Sequence, residues 1–352
     1  MKRRLTLISL LPIAFFLALA PTALASNTWY VDGVHGNDNN DCKSWQHACK
    51  TIGRAISRCS SGDSIMVAPA TYKENLTISI SLNVMGSSAA TTIVDGGGTK
   101  TVFTIPRGAT VSLSNLTIRN GYLHGYGYGG GILNLGALAI NNSTISGNRA
   151  FVGAGIENGG SLIISNSTIS GNSTNGGGGG AIDNNGTLIA NNSTISGNSA
   201  LPGGGGIGNP YGRMSINNST ISGNNSRSGG GIWGPFTTAT LQNTIVADNS
   251  GGNCDSIIKS EGHNLSSDNT CNLKGTGDLN NTDPKLGTLG NYGGPTQTIP
   301  LLSGSPAIDA GNPSGCTDGN GHLLKTDQRG YPRPDKEDAS GCDMGAYERQ
   351  SD

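Results

Sequence analysis

Through the middle of the chain, apolar residues come in short alternating stretches that return at a near-constant interval. The phrase Asn-Ser-Thr-Ile-Ser-Gly-Asn runs from Asn142 to Asn148 and returns ending at Asn172, Asn198 and Asn224. Degenerate copies span Asn115 to Asn120 and Asn243 to Asn249. The Ile of this phrase falls at Ile118, Ile145, Ile169, Ile195, Ile221 and Ile245, in steps of 27, 24, 26, 26 and 24. A second phrase, Gly-Gly-Gly-Ile or a near variant, places Ile132, Ile156, Ile182, Ile207 and Ile232. A third places Leu138, Leu162, Leu188, Met214 and Leu241.

Inside these stretches the alternation has a period of two. Leu138 pairs with Ile140, Leu162 with Ile164, Leu188 with Ala190 and Met214 with Ile216. That period marks strands with one set of side chains turned inward. Three such strands, joined by Gly and Asn turns, make one turn of a solenoid, with like positions stacked about 4.8 Å apart. The pattern predicts an all-β, right-handed, single-stranded parallel β-helix. A leucine-rich repeat has an overlapping period, but its spaced Leu signature is missing.

Three Asn columns should run along the axis. One is Asn115, Asn142, Asn166, Asn192, Asn218 and Asn243; another is Asn120, Asn148, Asn172, Asn198, Asn224 and Asn249. The third is Asn134, Asn158, Asn184 and Asn209, with Gly234 in its last place. Asn tolerates left-handed turn geometry, and stacked amides can donate to one neighbour while accepting from another. Many of these residues also match N-x-Ser/Thr, but a ladder explains the spacing and a glycosylation site does not.

Less regular β-rich runs lie upstream, at Ser64 to Val67, Leu76 to Ile80, Leu82 to Val84, Thr92 to Val94 and Val102 to Ile105. Before them, Ile52, Ala55, Ile56 and Cys59 share one helical face, predicting a helix from about Lys50 to Cys59 that covers the first turn's edge. The expected layout is a signal peptide at 1–25, an N-terminal cap segment at 26–63, the β-helix at 64–250 and a C-terminal module at 251–352.

Composition sharpens this picture. Gly contributes 57 of 352 residues without the three-residue period of collagen, and charged residues are only 13%. Lys2, Arg3 and Arg4, the apolar run Leu5 to Ala20 and the Ala23-Leu24-Ala25 site read as a signal peptide cleaved near Ala25. Export to the cell surface or medium follows, with no membrane span in the mature chain. Loss of the three basic residues takes the formal charge from −1 to −4, which gives no electrostatic reason to bind nucleic acid. Seven Cys in an exported chain suggest disulfides plus one thiol. Loop bracketing pairs Cys254 with Cys271 and Cys316 with Cys342; helical periodicity buries Cys59 as the free thiol and leaves Cys42 with Cys49.

Several stretches resemble known families. Trp29-Tyr-Val-Asp-Gly33, Gly36-Asn-Asp38, Cys49-Lys-Thr-Ile52, Gly62-Asp63 and Ala70-Thr-Tyr72 resemble the entry of pectate-lyase-like β-helix proteins. The repeated phrases are similar to polymorphic outer-membrane-protein repeats. Asp283-Pro284, Gly293-Gly-Pro-Thr296, Ser305 to Asn312, Asp327-Gln-Arg-Gly330, Pro332-Arg333 and Cys342 to Glu348 resemble the choice-of-anchor Q domain family. That resemblance implies a surface protein with a variable means of retention. No sorting motif or apolar tail follows Glu348, so anchoring through the chain's own end is not expected.

Candidate chemistry is sparse. Polysaccharide lyases on such a fold use acidic residues for Ca²⁺ and an Arg or Lys base, and related hydrolases use paired carboxylates. Between Thr110 and Ser250 the only charges are Arg119, Arg149, Glu157, Asp183, Arg213, Arg227 and Asp248. Glu157 and Asp183 follow the Gly-rich phrase directly and share an outward column with Leu133, Gly208 and Trp233. With Arg149 they are the catalytic candidates, and by themselves a candidate Ca²⁺ pair, unless they are simply two solvated acids. The turns before each Gly-rich phrase should protrude. They carry Tyr122, His124, Tyr126, Tyr128 and Phe151, with Trp233 nearby; of these Tyr126, Tyr128, Phe151 and Trp233 are candidates for stacking on sugar rings. Gly176 to Gly180 lacks the following Lys-Ser/Thr of a phosphate loop and reads as a flexible turn. In the C-terminal module, Asp309, Asp327, Arg329, Arg333, Asp343 and Glu348 should pair to close it. The expected protein is a monomeric surface β-helix for adhesion, contact with a polysaccharide or cell-surface glycan, or a structural role, without catalysis or an obligatory cofactor; the alternative is a polysaccharide lyase or glycoside hydrolase acting on an extracellular acidic polysaccharide.

Overall fold

The computed structural model describes residues 26–336 and 341–350. The expected signal peptide lies outside them. The described chain is a right-handed parallel β-solenoid. In a typical turn the three strands are Ile132–Asn134, Ala137–Asn141 and Thr144–Ser146. Equivalent strands of the next turn are Ile156–Asn158, Ser161–Ser165 and Thr168–Ser170. Pairing between successive turns is parallel, and through the regular coils in register, with Ile132 over Ile156, Leu138 over Leu162 and Ile145 over Ile169. The first two strands of each turn build a sixteen-stranded sheet, and the third strands a nine-stranded one. Their inward residues form one continuous apolar core from Trp29 to Leu273.

The stack extends past both ends of the 64–250 span. Thr28–Val31 already pairs with Ser64–Val67, and Cys254–Ser260 continues the sheet beyond Ile232–Gln242. The free edge of Thr28–Val31 is closed by a loop rather than by the helix alone. Tyr30 N donates to the Cys42 carbonyl and Asp32 N to the Cys49 carbonyl, inside the Cys42–Cys49 disulfide. The helix is shorter than its periodicity predicts, Ile52–Ile56. Thr51 caps its start by accepting from Arg54 N, and tighter i→i+3 bonds end it at Arg58 and Cys59. Cys59 is consequently half-buried at the core margin rather than inside it, and its thiol is free. Desolvation and the nearby Asp63 charge push the thiol up to about 12, which leaves it unreactive. Disulfides also join Cys254 to Cys271 and Cys316 to Cys342.

The Asn columns have distinct jobs. Asn115, Asn142, Asn166, Asn192, Asn218 and Asn243 all take positive φ, between 46° and 57°, and turn the chain into the third strand. The second column is a buried amide ladder: Nδ2 of Asn148, Asn172 and Asn198 each donates to Oδ1 of the next Asn at 2.9 Å. The third column repeats this at Asn134, Asn158 and Asn184, at 2.7, 2.7 and 2.6 Å, and ends on Asn209. Asn120 does not belong to the second column. Arg119 pairs with Ser146, so Asn120 falls opposite Gly147 and shares its left-handed geometry, while it hydrogen-bonds Asp95. Two apolar positions also shift: Val246, not Ile245, stacks on Ile221, and Ala239, not Leu241, stacks on Met214. The second follows from spacing, since Ala239 lies as far past Ile232 as Met214 lies past Ile207; the strand Ile232–Gln242 carries a bulge between Gly234 and Thr238 only against the next strand, Cys254–Ser260.

The C-terminal module does more than close an end. It turns back along the outer face of the nine-stranded sheet and bonds to successive turns. Thr168 Oγ1 donates to the Gln297 carbonyl, Asn192 Nδ2 to the Thr326 carbonyl and Asn218 Nδ2 to the Thr317 carbonyl. Thr194 Oγ1 donates to Gln328 Oε1 at 2.6 Å, and Ala346 N donates to Thr220 Oγ1 at 3.1 Å. Among the described residues, no helix is long and apolar enough to cross a membrane.

Candidate functional site

The register confirms one outward column of Leu133, Glu157, Asp183, Gly208 and Trp233. The two acids in it are not solvated: Glu157 is 8% exposed and Asp183 4%. Their burial comes from the turn before each first strand, which folds back over that strand's outer face. Gly153 and Gly179 sit at φ of 60° and 69°, and a Cβ on Gly179 would stand 2.4 Å from the Ile182 carbonyl oxygen. Only glycine admits such an approach with that geometry. The outward position of a three-residue strand thus lies under the stretch of backbone that precedes it.

Beneath this cover, Asn185 Nδ2 donates to both acids, to Glu157 Oε1 at 3.1 Å and Asp183 Oδ2 at 2.8 Å. Glu157 Oε2 has no hydrogen-bond partner. Desolvation and then the Asp183 charge push the Glu157 carboxyl up to about 8; desolvation pushes Asp183 up to about 6. At neutral pH the pair therefore holds one proton, on Glu157. A Ca²⁺ ion takes six to eight oxygens, so here it would draw most of them from backbone carbonyls and water. Among the described residues, no three His, Cys, Asp or Glu side chains gather as a metal site.

Aromatic rings flank this cover. Phe151 lies against Gly176, where a Cβ would fall 1.8 Å from its ring, and Trp233 lies on Gly203 and beside Gly178. Trp233 is thus half-buried packing for the strap rather than an open face. Tyr126 packs edge-on against Phe151 with centroids 4.9 Å apart and is itself 80% exposed, and Tyr128 is also exposed. Glu157, Asp183, Phe151, Trp233 and Tyr126 therefore form one neighbourhood. Arg149 opens elsewhere, lining a cleft of about 500 Å³ with Lys73, Asp95, Asn120 and Tyr122. His124 packs on Tyr122 at 4.1 Å in the adjoining turn.

A second pair of rings was not anticipated by the repeat pattern. Tyr211 occupies the turn between the first and second strands of its coil, Phe236 the bulge of strand Ile232–Gln242 in the next, and they are 74% and 72% exposed. The signal was present in Pro210-Tyr211 and Pro235-Phe236, two Pro-aromatic steps one repeat apart.

In the C-terminal module the acids and arginines pair internally. Arg329 contacts Asp327 and Arg333 contacts Glu348, both at 2.7 Å and both buried. Asp343 is held by Asp309 N and Arg349 N, while burial and the Glu348 charge push it up to about 7. Asp309 does not pair as expected: it contributes its backbone N–H, and its Oδ1 is buried without a partner, while Arg333 also donates to Asn192 and so seats the module on the solenoid.

No family model and no curated protein matches the chain. Among solved structures it is similar to pectate lyase Pel9A, at 13% identity over 93% of this chain and 98% of that one, with a TM-score of 0.45. It is similar to a pectin methylesterase from Aspergillus niger at 16% identity over 70% and 87%, with a TM-score of 0.43. It is also similar to the GH136 lacto-N-biosidase from Eubacterium ramulus at 12% identity over 68% and 64%, with a TM-score of 0.33. These likenesses are in the path of the chain, and no site residue is carried over from them.

Proposed function

We propose that this chain is an extracytoplasmic β-helix, of the choice-of-anchor Q type, that contacts a glycan through its aromatic turn edge and does no chemistry on it. The observation that carries this is the exposed Tyr126 ring braced on Phe151, with Tyr128 beside it. Rings fixed in place lose little freedom when they stack on a sugar. The catalytic candidates point the same way. The acid pair is roofed by glycine backbone, and Arg149 faces a separate cleft, so base and acids do not converge on one reacting atom. Glycan-array binding that weakens tenfold or more in Tyr126→Ala with Phe151→Ala is the expected result; a wild-type chain that binds no glycan and no cell surface would sink the reading.

A second reading, a hydrolase or lyase, has one observation in its favour: two adjacent carboxyls, one holding a proton at neutral pH and one ionised. Incubation with uronate polymers should give neither new absorbance from unsaturated ends nor new reducing ends. Product formation lost in Glu157→Gln would establish the enzyme instead.

A further inference from the structure

We propose that Tyr211 and Phe236 form a binding platform for a neutral saccharide chain, on a different edge of the solenoid from Tyr126. The inference rests on the reading of this protein as one that contacts glycans. The two rings are nearly parallel, at 7° between planes, with centroids 6.3 Å apart. They come from consecutive turns, so the platform runs along the solenoid axis, in the direction in which positions recur about every 4.8 Å. An extended saccharide lying along that axis can touch both exposed rings.

The platform is built rather than incidental. Each ring follows a proline, whose fixed φ presents it outward. Asn209 ends the amide ladder and donates to Thr237 Oγ1 at 2.8 Å, and Thr237 Oγ1 donates back to the Asn209 carbonyl, which ties the two turns together. Gly212 lies so close to Asn184 that a Cβ would stand 2.2 Å from Nδ2, which holds the turn after Tyr211 flat on the ladder. Phe236 lies in the bulge between Gly234 and Thr238, where the strand has no partner in Cys254–Ser260.

Size and charge select the occupant. Two aromatic side chains bury at most about 500 Å² between them, well short of the roughly 1,200 Å² of a stable protein interface. Apolar and exposed, the ring pair suits the apolar face of a pyranose. The rim offers the exposed Arg213 and the half-exposed Thr237 as polar contacts but no cluster of cations, so a neutral chain fits better than a polyanion.

Native affinity electrophoresis of the full chain in gels containing hydroxyethylcellulose, glucomannan, xyloglucan or polygalacturonate tests this. Retardation by at least one of the three neutral polymers is expected, weakened tenfold or more in Tyr211→Ala with Phe236→Ala at unchanged Tm. Unweakened neutral binding by the platform variant overturns the proposal and leaves the broader glycan reading intact. So does a chain retarded by polygalacturonate alone. A platform variant that sediments as a smaller species than wild type also overturns it, because the rings would then serve self-association. Failure to bind any polymer or arrayed glycan removes both readings.

Discussion

A carboxyl taken out of water without a cationic partner keeps its proton, and Glu157 is in that position. In the unfolded chain it ionises near 4.5, whereas in the folded chain it holds on to about 8. The folded state therefore binds more protons between those values, and its stability falls as pH rises through them. Asp183 and Asp343 act in the same direction up to about 6 and about 7. Glu157→Gln should flatten the slope above pH 6 and stabilise the protein at pH 8 by a few kcal/mol, at about 1.4 kcal/mol per pH unit. Urea unfolding at pH 5, 6.5 and 8 reads this directly, and an unchanged slope would refute the protonated pair. Asn142 offers a simpler test of backbone geometry. It sits at φ 48° and is half-exposed. Asn142→Gly should leave the unfolding midpoint nearly unmoved, whereas Asn142→Val should cost about 1–2 kcal/mol, because a branched side chain is strained in the left-handed region.

At the scale of elements, the informative contact is the seat of the C-terminal module on the solenoid wall. Gln328 is its centre, accepting from Thr194 and donating to Thr168 Oγ1, Thr296 Oγ1 and the Gln297 carbonyl within buried surroundings. Gln328→Ala would strand several buried polar groups, at about 1–3 kcal/mol each. We expect a lower Tm together with faster amide hydrogen exchange confined to residues 296–336 and their partner turns. Exchange that rises uniformly over the whole chain would instead mark Gln328 as part of one indivisible core. The strands themselves were legible in the sequence, since Leu138 and Ile140 or Leu162 and Ile164 can alternate only as strands. The seat was not: Thr168, Thr194 and Thr220 look like any outward threonine in a repeat, and nothing in their spacing says which turns a distant segment will cover. The cover over Glu157 was hidden for a related reason. Alternation tells inward from outward, but Gly153 and Gly179 decide whether outward means solvent, and that depends on φ rather than on polarity.

The whole molecule is a stack whose turns touch only their neighbours, tied along one side by a segment that does not repeat. Joining Asn115 to Ser143 removes one turn upstream of the module's hydrogen bonds, which run from Asn166 to Asn243. Such a chain should fold with its module seated. Joining Asn166 to Ser193 removes a turn from under the module, and the next Thr and Asn positions are then those of the following coils. The solenoid should still form, because the fused phrase is unchanged, while the module becomes sensitive to limited proteolysis. Equal protease resistance of the two deletions would show that the module slides freely along the wall.

The side-lying module is thus a ruler. Near-identical phrases such as those ending at Asn172, Asn198 and Asn224 give a coding sequence the raw material for unequal recombination, and a bare solenoid would absorb the gain or loss of a coil without complaint. Thr168, Thr194 and Thr220 meet fixed partners on a segment of fixed length, so a chain with the wrong count between them carries an undocked tail exposed to proteases. The repeat number of this protein is guarded by a part of it that contains no repeat.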